Sequence, residues 1–114
     1  MPRILFADDD LDQVTVHQKV LEAYGYQVET ALTTADALRQ LADRLPDVMV
    51  TDLRFPTVEA GLELVRDIGG RVPLIVQSGW PEDLYGRPEE KLITRIVMKG
   101  SVRELLATIK EVVG

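Results

Sequence analysis

The sequence predicts an α/β protein, a parallel β-sheet covered by helices on both faces. Five short apolar runs alternate along the chain with stretches of helical character, and strand–helix alternation of this kind builds parallel sheets. The runs are apolar almost without interruption, as befits strands buried on both faces. Most of them end abruptly in charged or hydroxyl residues, which collects polarity at one end of the strands.

The first run, residues 4–7, stops at three acids, Asp8, Asp9 and Asp10. Asp10 is placed to cap the helix that follows over residues 11–24, because Asp there accepts a free backbone N–H and favours the helix dipole. Val14, His17, Leu21 and Tyr24 recur at spacings of three and four and so share a face; Gly25 is the expected stop. Residues 27–31 are rich in β-formers. Thr33 or Thr34 caps a second helix to about residue 44, with Ala35, Leu38, Leu41 and Ala42 expected to face inward. Pro46 and Asp47 break it. The third strand covers residues 47–52 and ends in Asp52. A loop over 53–57 leads to a third helix, 59–68, ended by Gly69 and Gly70. Residues 73–77 form the fourth strand, followed by Ser78, Gly79, Trp80 and Pro81. Gly86 and Pro88 interrupt any regular fourth helix, so only a short or distorted one is expected over 88–93. Residues 95–98 are the fifth strand, ending at Lys99–Gly100. Ser101 caps a last helix to about residue 113, with a stripe of Leu105, Leu106, Ile109, Val112 and Val113. With no linker, repeat or low-complexity segment in view, residues 1–114 are expected to form a single domain.

Composition narrows the function classes. A hydrophobic share of 46% and a charged share of 28% in 114 residues suit one ordinary core. The chain has no cysteine, so disulfides and thiolate metal sites are excluded. A formal net charge of -6 argues against direct nucleic-acid binding, which depends on basic residues displacing counterions. The N-terminus turns acidic at Asp8, too early for a signal peptide, and no apolar run approaches the roughly 20 residues that span a bilayer. The expectation is a cytoplasmic protein with no membrane partner.

The carboxyl ends of parallel strands form the ligand-binding edge of open α/β sheets. Here they deliver Asp8 and Asp9, Asp52, Ser78 and Lys99 from four different strands. Alone, Asp52 reads as a strand-end residue, Ser78 as a turn residue and Lys99 as a surface lysine; their convergence changes the reading. Clustered carboxylates repel and call for a cation, and an all-oxygen set suits Mg2+ or Mn2+. A carboxylate can attack phosphorus. A metal and Lys99 would neutralise charge on the phosphoryl oxygens, and Ser78 could donate a hydrogen bond to one of them. The set therefore supports phosphoryl transfer onto a carboxylate. His17, the sole histidine, lies far along the chain from the acids and reads as a packing residue; Trp80 and Tyr85 read as ordinary loop anchors, with an exposed, partner-binding role left open.

Five segments together resemble the receiver domains of two-component response regulators. They are residues 4–10 (ILFADDD), 50–56 (VTDLRFP), 61–64 (GLEL), 73–79 (PLIVQSG) and 97–99 (VMK). The resemblance covers essentially the whole chain. It implies a flavodoxin-like, doubly wound, five-stranded parallel sheet of order 2-1-3-4-5 with helices on both faces. It implies Asp52 as phosphoacceptor, Asp9 as a direct metal ligand with Asp8 acting nearby through water, and the backbone carbonyl of Arg54 completing the protein's share of the metal shell. Lys99 would pair with the phosphoryl group, and Ser78 would move to meet it. The implied partners are a sensor histidine kinase or phosphotransfer protein and an unnamed downstream protein, with self-association into a homodimer left open. The implied output is a conformational change, with self-catalysed phosphorylation and dephosphorylation and no independent substrate.

The chain departs from the family at Gly100, where the lysine is usually followed by a proline in a cis bond. It departs also at Ile96, usually Tyr or Phe, in a 56–61 loop one residue longer than usual, and in the interrupted fourth helix. Arg54 and Trp80 are bulky and expected to flank the phosphoryl group, slowing its hydrolysis. Ile96 and Gly100 favour an alternative, a pseudo-receiver binding partners without phosphorylation; intact Asp8, Asp9, Asp52, Ser78 and Lys99 oppose it. An aspartate-nucleophile phosphatase would need Thr where Asp12 stands, and a flavodoxin would need a Gly/Ser/Thr-rich loop where the acids lie.

Overall fold

The computed structural model describes residues 1–114. The elements run β1 (Arg3–Ala7), α1 (Leu11–Ala23), β2 (Gln27–Ala31), α2 (Thr34–Asp43), β3 (Val48–Asp52), α3 (Val58–Ile68), β4 (Leu74–Ser78), β5 (Arg95–Met98) and α4 (Val102–Val113). Two 3-10 turns, Pro81–Asp83 and Pro88–Leu92, stand between β4 and β5. The strands form one all-parallel sheet in the order β2-β1-β3-β4-β5, as the resemblance implied. No helix is long and apolar enough to cross a membrane.

Each α-helix starts on a side chain that accepts its free amides. Asp10 accepts from the backbone amides of Asp12 and Gln13, Thr33 from Asp36, Thr57 from Ala60 and Ser101 from Glu104. Such caps contribute about 1 kcal/mol apiece. Thr33, not Thr34, is the cap of α2. α3 ends at Gly69 in the left-handed conformation, φ 58, which glycine adopts without a Cβ penalty.

Side chains of successive strand residues point to opposite faces, and this parity divides the core in two. Leu5, Ala7, Met49, Leu74 and Val76 meet α2 and α3 through Ala37, Leu41, Leu62, Val65 and Ile68. Ile4, Phe6, Val48, Val50, Ile75 and Val97 meet α1 and α4 through Val14, Leu21, Leu105 and Ile109. β3 and β4, in the middle, are buried along their whole lengths.

Some expectations about helix faces are corrected. Tyr24 is 62% exposed, because α1 ends one residue before it and the chain turns away through Gly25. In α2 the inward stripe is Ala37 and Leu41 with Leu38 half-buried; Ala35 and Ala42 face solvent. Trp80 and Tyr85 are exposed, and fully buried Leu84 between them holds that segment to the core. The fourth helix is replaced by the two 3-10 turns. Pro88 has no amide to continue a ladder, and Gly86 sits at φ 76, outside helical space. The second turn is tied to α3 by an Arg66–Glu89 ion pair of 3.0 Å. The sole cis peptide is Phe55–Pro56, so Lys99–Gly100 is trans.

Candidate functional site

The carboxyl ends of β1, β3 and β5 converge on one cluster. The strand parity that sends Phe6 and Val50 toward α1 and α4 sends Asp8 and Asp52 the same way two residues later. Asp8 is 1% and Asp52 6% exposed, whereas Asp9 is open to solvent. One carboxylate oxygen from each of Asp8, Asp9 and Asp52 lies within 4.8 Å of the others. Lys99 reaches in from beyond β5, its Nζ 2.6 Å from Asp52 Oδ2 and 3.4 Å from Asp8 Oδ2. The Lys99 amide donates to the Ser78 carbonyl at 3.0 Å, fixing the end of β5 against β4. The trans bond to Gly100, which adopts φ 101, is therefore compatible with an inward lysine.

Charge in this cluster is unbalanced. Three carboxylates face one ammonium, leaving a surplus of two negative charges in a partly dry setting. Burial pushes the Asp8 carboxyl above the usual aspartate range, the neighbouring Asp52 charge adds to this, and the Asp10 amide and Lys99 oppose it. For Lys99, burial works against the ammonium. The hydrogen bond and charge of Asp52, joined by Asp8, outweigh it and raise the lysine above its ordinary value. Asp8 Oδ1 accepts from the Asp10 amide at 3.0 Å, but buried Oδ2 has no hydrogen-bond partner. A buried carboxylate oxygen that makes no hydrogen bond and shares one ammonium with Asp52, amid surplus negative charge, is suited to a divalent cation.

Ser78, 2% exposed, ends β4 on the opposite parity, toward the α2/α3 side, where half-buried Ile96 also packs. Its Oγ accepts from the Trp80 amide at 3.0 Å. Arg54 and Trp80 are brought together above the strand ends: the guanidinium carbon lies 4.1 Å from the ring centroid, a cation–π contact. The same guanidinium pairs with Asp83 at 3.2 Å. The loops after β3 and β4 are thereby bridged. His17 is remote from the acids in role: it is buried, stacks on Phe6 with centroids 4.7 Å apart, and places Nδ1 2.8 Å from the Gln13 carbonyl.

Sequence reasoning passed over two features. Asp83 was not singled out, and nothing in sequence spacing pairs it with Arg54. Gln77 was read as part of an apolar strand, although a Gln after Leu74, Ile75 and Val76 is itself a signal; it is 1% exposed.

Comparison with known proteins identifies the family and the fold. The response regulator receiver domain model matches residues 4–108. The transcriptional regulatory protein PrrA of Mycobacterium leprae is 35% identical over 80 residues, which is 68% of this chain and 34% of PrrA. ZraR of Salmonella typhimurium is 28% identical over 79 residues, 68% of this chain and 18% of ZraR. The matched region thus spans about a third or less of these curated relatives. Among solved structures, the response regulator TrrA of Thermotoga maritima, in complex with Mg2+-BeF, superposes with a TM-score of 0.87 at 22% identity, covering 98% of this chain and 99% of TrrA. A CheY-like receiver domain protein of Methanospirillum hungatei gives 0.80 at 26% identity, covering 97% and 92%.

Proposed function

The chain belongs to the response regulator receiver domain family, and from that premise we propose that it accepts a phosphoryl group on Asp52 from a phosphohistidine and signals by changing conformation. The reading rests above all on one observation: Lys99 Nζ lies 2.6 Å from Asp52 and 3.4 Å from Asp8, in the midst of three clustered carboxylates. Asp52 Oδ2 is held by Lys99, which leaves Oδ1 to attack phosphorus. As the new O–P bond forms, the P–N bond of the donor breaks and its electron pair leaves with the imidazole nitrogen. Lys99 then offsets charge on the phosphoryl oxygens, and the Ser78 hydroxyl, whose oxygen already accepts from Trp80, has a proton to donate to one of them.

A divalent cation fits the donor set, given that buried Asp8 Oδ2 makes no hydrogen bond and faces only the shared Lys99 ammonium at 3.4 Å, and given the surplus of negative charge. Asp8, Asp9, Asp52 and the Arg54 carbonyl would hold Mg2+ (or Mn2+). Bound there, the metal would supply positive charge to the incoming phosphoryl group. TrrA, which shares this fold, carries Mg2+-BeF.

In this reading residues 1–114 are one receiver domain that turns over no independent substrate. Its partners are a histidine kinase or phosphotransfer protein and a downstream protein, in the cytoplasm, with no direct contact to nucleic acid. The test is intact mass after incubation with acetyl phosphate, with and without Mg2+, on wild type and Asp52→Asn. A phosphoryl mass gain that requires both Mg2+ and Asp52 is expected. A folded wild type that gains no mass from acetyl phosphate or from a cognate kinase would refute it.

A further inference from the structure

Gln77 is a buried amide without a partner in the middle of the sheet. Its Nε2 is enclosed and makes no hydrogen bond, in a strand whose other residues are Leu74, Ile75, Val76 and the terminal Ser78. A group left in this way destabilises a fold, and an apolar residue of similar shape would not. The Gln77 amide is therefore a donor that no group of the protein uses.

Its place points to an acceptor for it. In the sheet register Gln77 lies directly between Asp52 on β3 and Val97 on β5. Strand parity puts it on the α1/α4 side, the side taken by Asp52. Neighbouring strands are about 4.8 Å apart, so Lys99, starting beyond β5, must cross β4 to bring its ammonium to Asp52 and Asp8. On that side of β4, Gln77 is the last residue within the paired strand, beside Asp52 and one pleat before the level of Lys99. In the resting site, Asp52 Oδ2 is taken by Lys99. When Lys99 turns to a phosphoryl group, that oxygen exchanges the ammonium for the cation and keeps a lone pair, and Gln77, its register neighbour on the same face, carries an amide donor with no hydrogen bond.

We propose that Gln77 is a positioning residue of the phosphoryl site: its amide donates to the Asp52 oxygen that Lys99 releases, and so favours the phosphorylated arrangement over the resting one. This rests on Asp52 being the phosphoacceptor. Two consequences of opposite sign follow. Replacing Gln77 by Met, unbranched and of similar length, removes the unpartnered amide and should raise the melting temperature of the unliganded domain. The same change should weaken the occupied state, lowering affinity for beryllofluoride with Mg2+ by about three- to tenfold, the range of one net hydrogen bond. A purely structural glutamine would move only the first quantity.

The experiment is therefore beryllofluoride titration with Mg2+ on wild type and Gln77→Met, alongside melting without ligand and NMR of the Gln77 side-chain amide. The expected result is a higher unliganded melting temperature, weaker binding in the variant, and a shifted, more slowly exchanging amide in the wild type on binding. If wild type binds and the variant binds equally, with the amide resonances unmoved, the role given to Gln77 is wrong while the receiver reading stands. If wild type binds no beryllofluoride and takes no phosphoryl group, both fall together.

Discussion

Gly61→Ala should cost this protein far more than a single methyl group suggests. Gly61 is buried in the first turns of α3, where a Cβ would lie 1.6 Å from the Leu53 carbonyl oxygen and 2.7 Å from its carbon. The obstacle is backbone, so no rotamer change relieves it. Restoring even a 3.0 Å contact requires the helix and the loop after β3 to part by about 1.4 Å. Overpacking a core typically costs about 1–3 kcal/mol, and a contact this short belongs at the upper end or beyond. Against it stands the higher helix propensity of Ala, about 1 kcal/mol. A net loss of about 2 kcal/mol is expected, out of a total of about 5–15 kcal/mol for a domain of this kind. That corresponds to a fall in melting temperature of roughly 8 °C. Because Leu53 follows Asp52 directly, the shift should also weaken Mg2+ binding. Thermal and urea unfolding measure the first effect and Mg2+ titration the second. Gly79→Ala, where a Cβ meets nothing within 4 Å, is the control and should change stability by no more than about 0.5 kcal/mol. A Gly61→Ala domain as stable as wild type would refute the steric reasoning.

Three further outcomes are expected. Asp8→Asn should melt a few degrees higher than wild type without metal at neutral pH, because it removes a buried carboxylate, and it should lose the stabilisation that Mg2+ confers. The folded-state pKa of Asp8 is raised by burial, so its protonated form favours folding and stability falls as pH rises through that pKa. The advantage of the variant should accordingly grow with pH; one that is constant from acid to neutral would contradict the assignment. Replacing Arg54 and Trp80 together by Ala opens the bridge over the strand ends and should speed hydrolysis of the phosphorylated form several-fold, while unchanged decay would show the bridge irrelevant to water access. Glu89 is held below the usual glutamate range by its own backbone amide and by Arg66. Its contribution is present above the ordinary glutamate pKa and lost as pH falls through the depressed one. Glu89→Gln should therefore be less stable than wild type near neutrality, and the difference should shrink as pH falls through the depressed pKa; a difference that does not change with pH would count against the pair.

Much of the site was legible because parallel α/β sheets place strand ends on one edge. Once residues 4–7, 47–52, 73–77 and 95–98 are read as strands, Asp8, Asp52, Ser78 and Lys99 fall near one another without any knowledge of packing. The faces of the helices were less legible. Ala35 and Ala42 share helical periodicity with Leu38 and Leu41, yet α2 turns Ala37 to the sheet, because the docking angle on β1 and α3 chooses the face. Tyr24 lies at the right spacing for burial, but one residue past the end of α1.

What the sequence by itself determined is the order and type of elements, the two-sided burial of the strands and the chemistry gathered at their ends. These follow from local rules: period, propensity, and the polarity change at each strand terminus. Only the tertiary structure decided that Lys99 closes on Asp52 through a trans bond to Gly100, that Arg54 lies over Trp80 and beside Asp83, and that Gln77 is enclosed next to Asp52. Each of these is a contact between residues distant along the chain, set by strand order, register and parity, quantities that no local stretch of sequence contains.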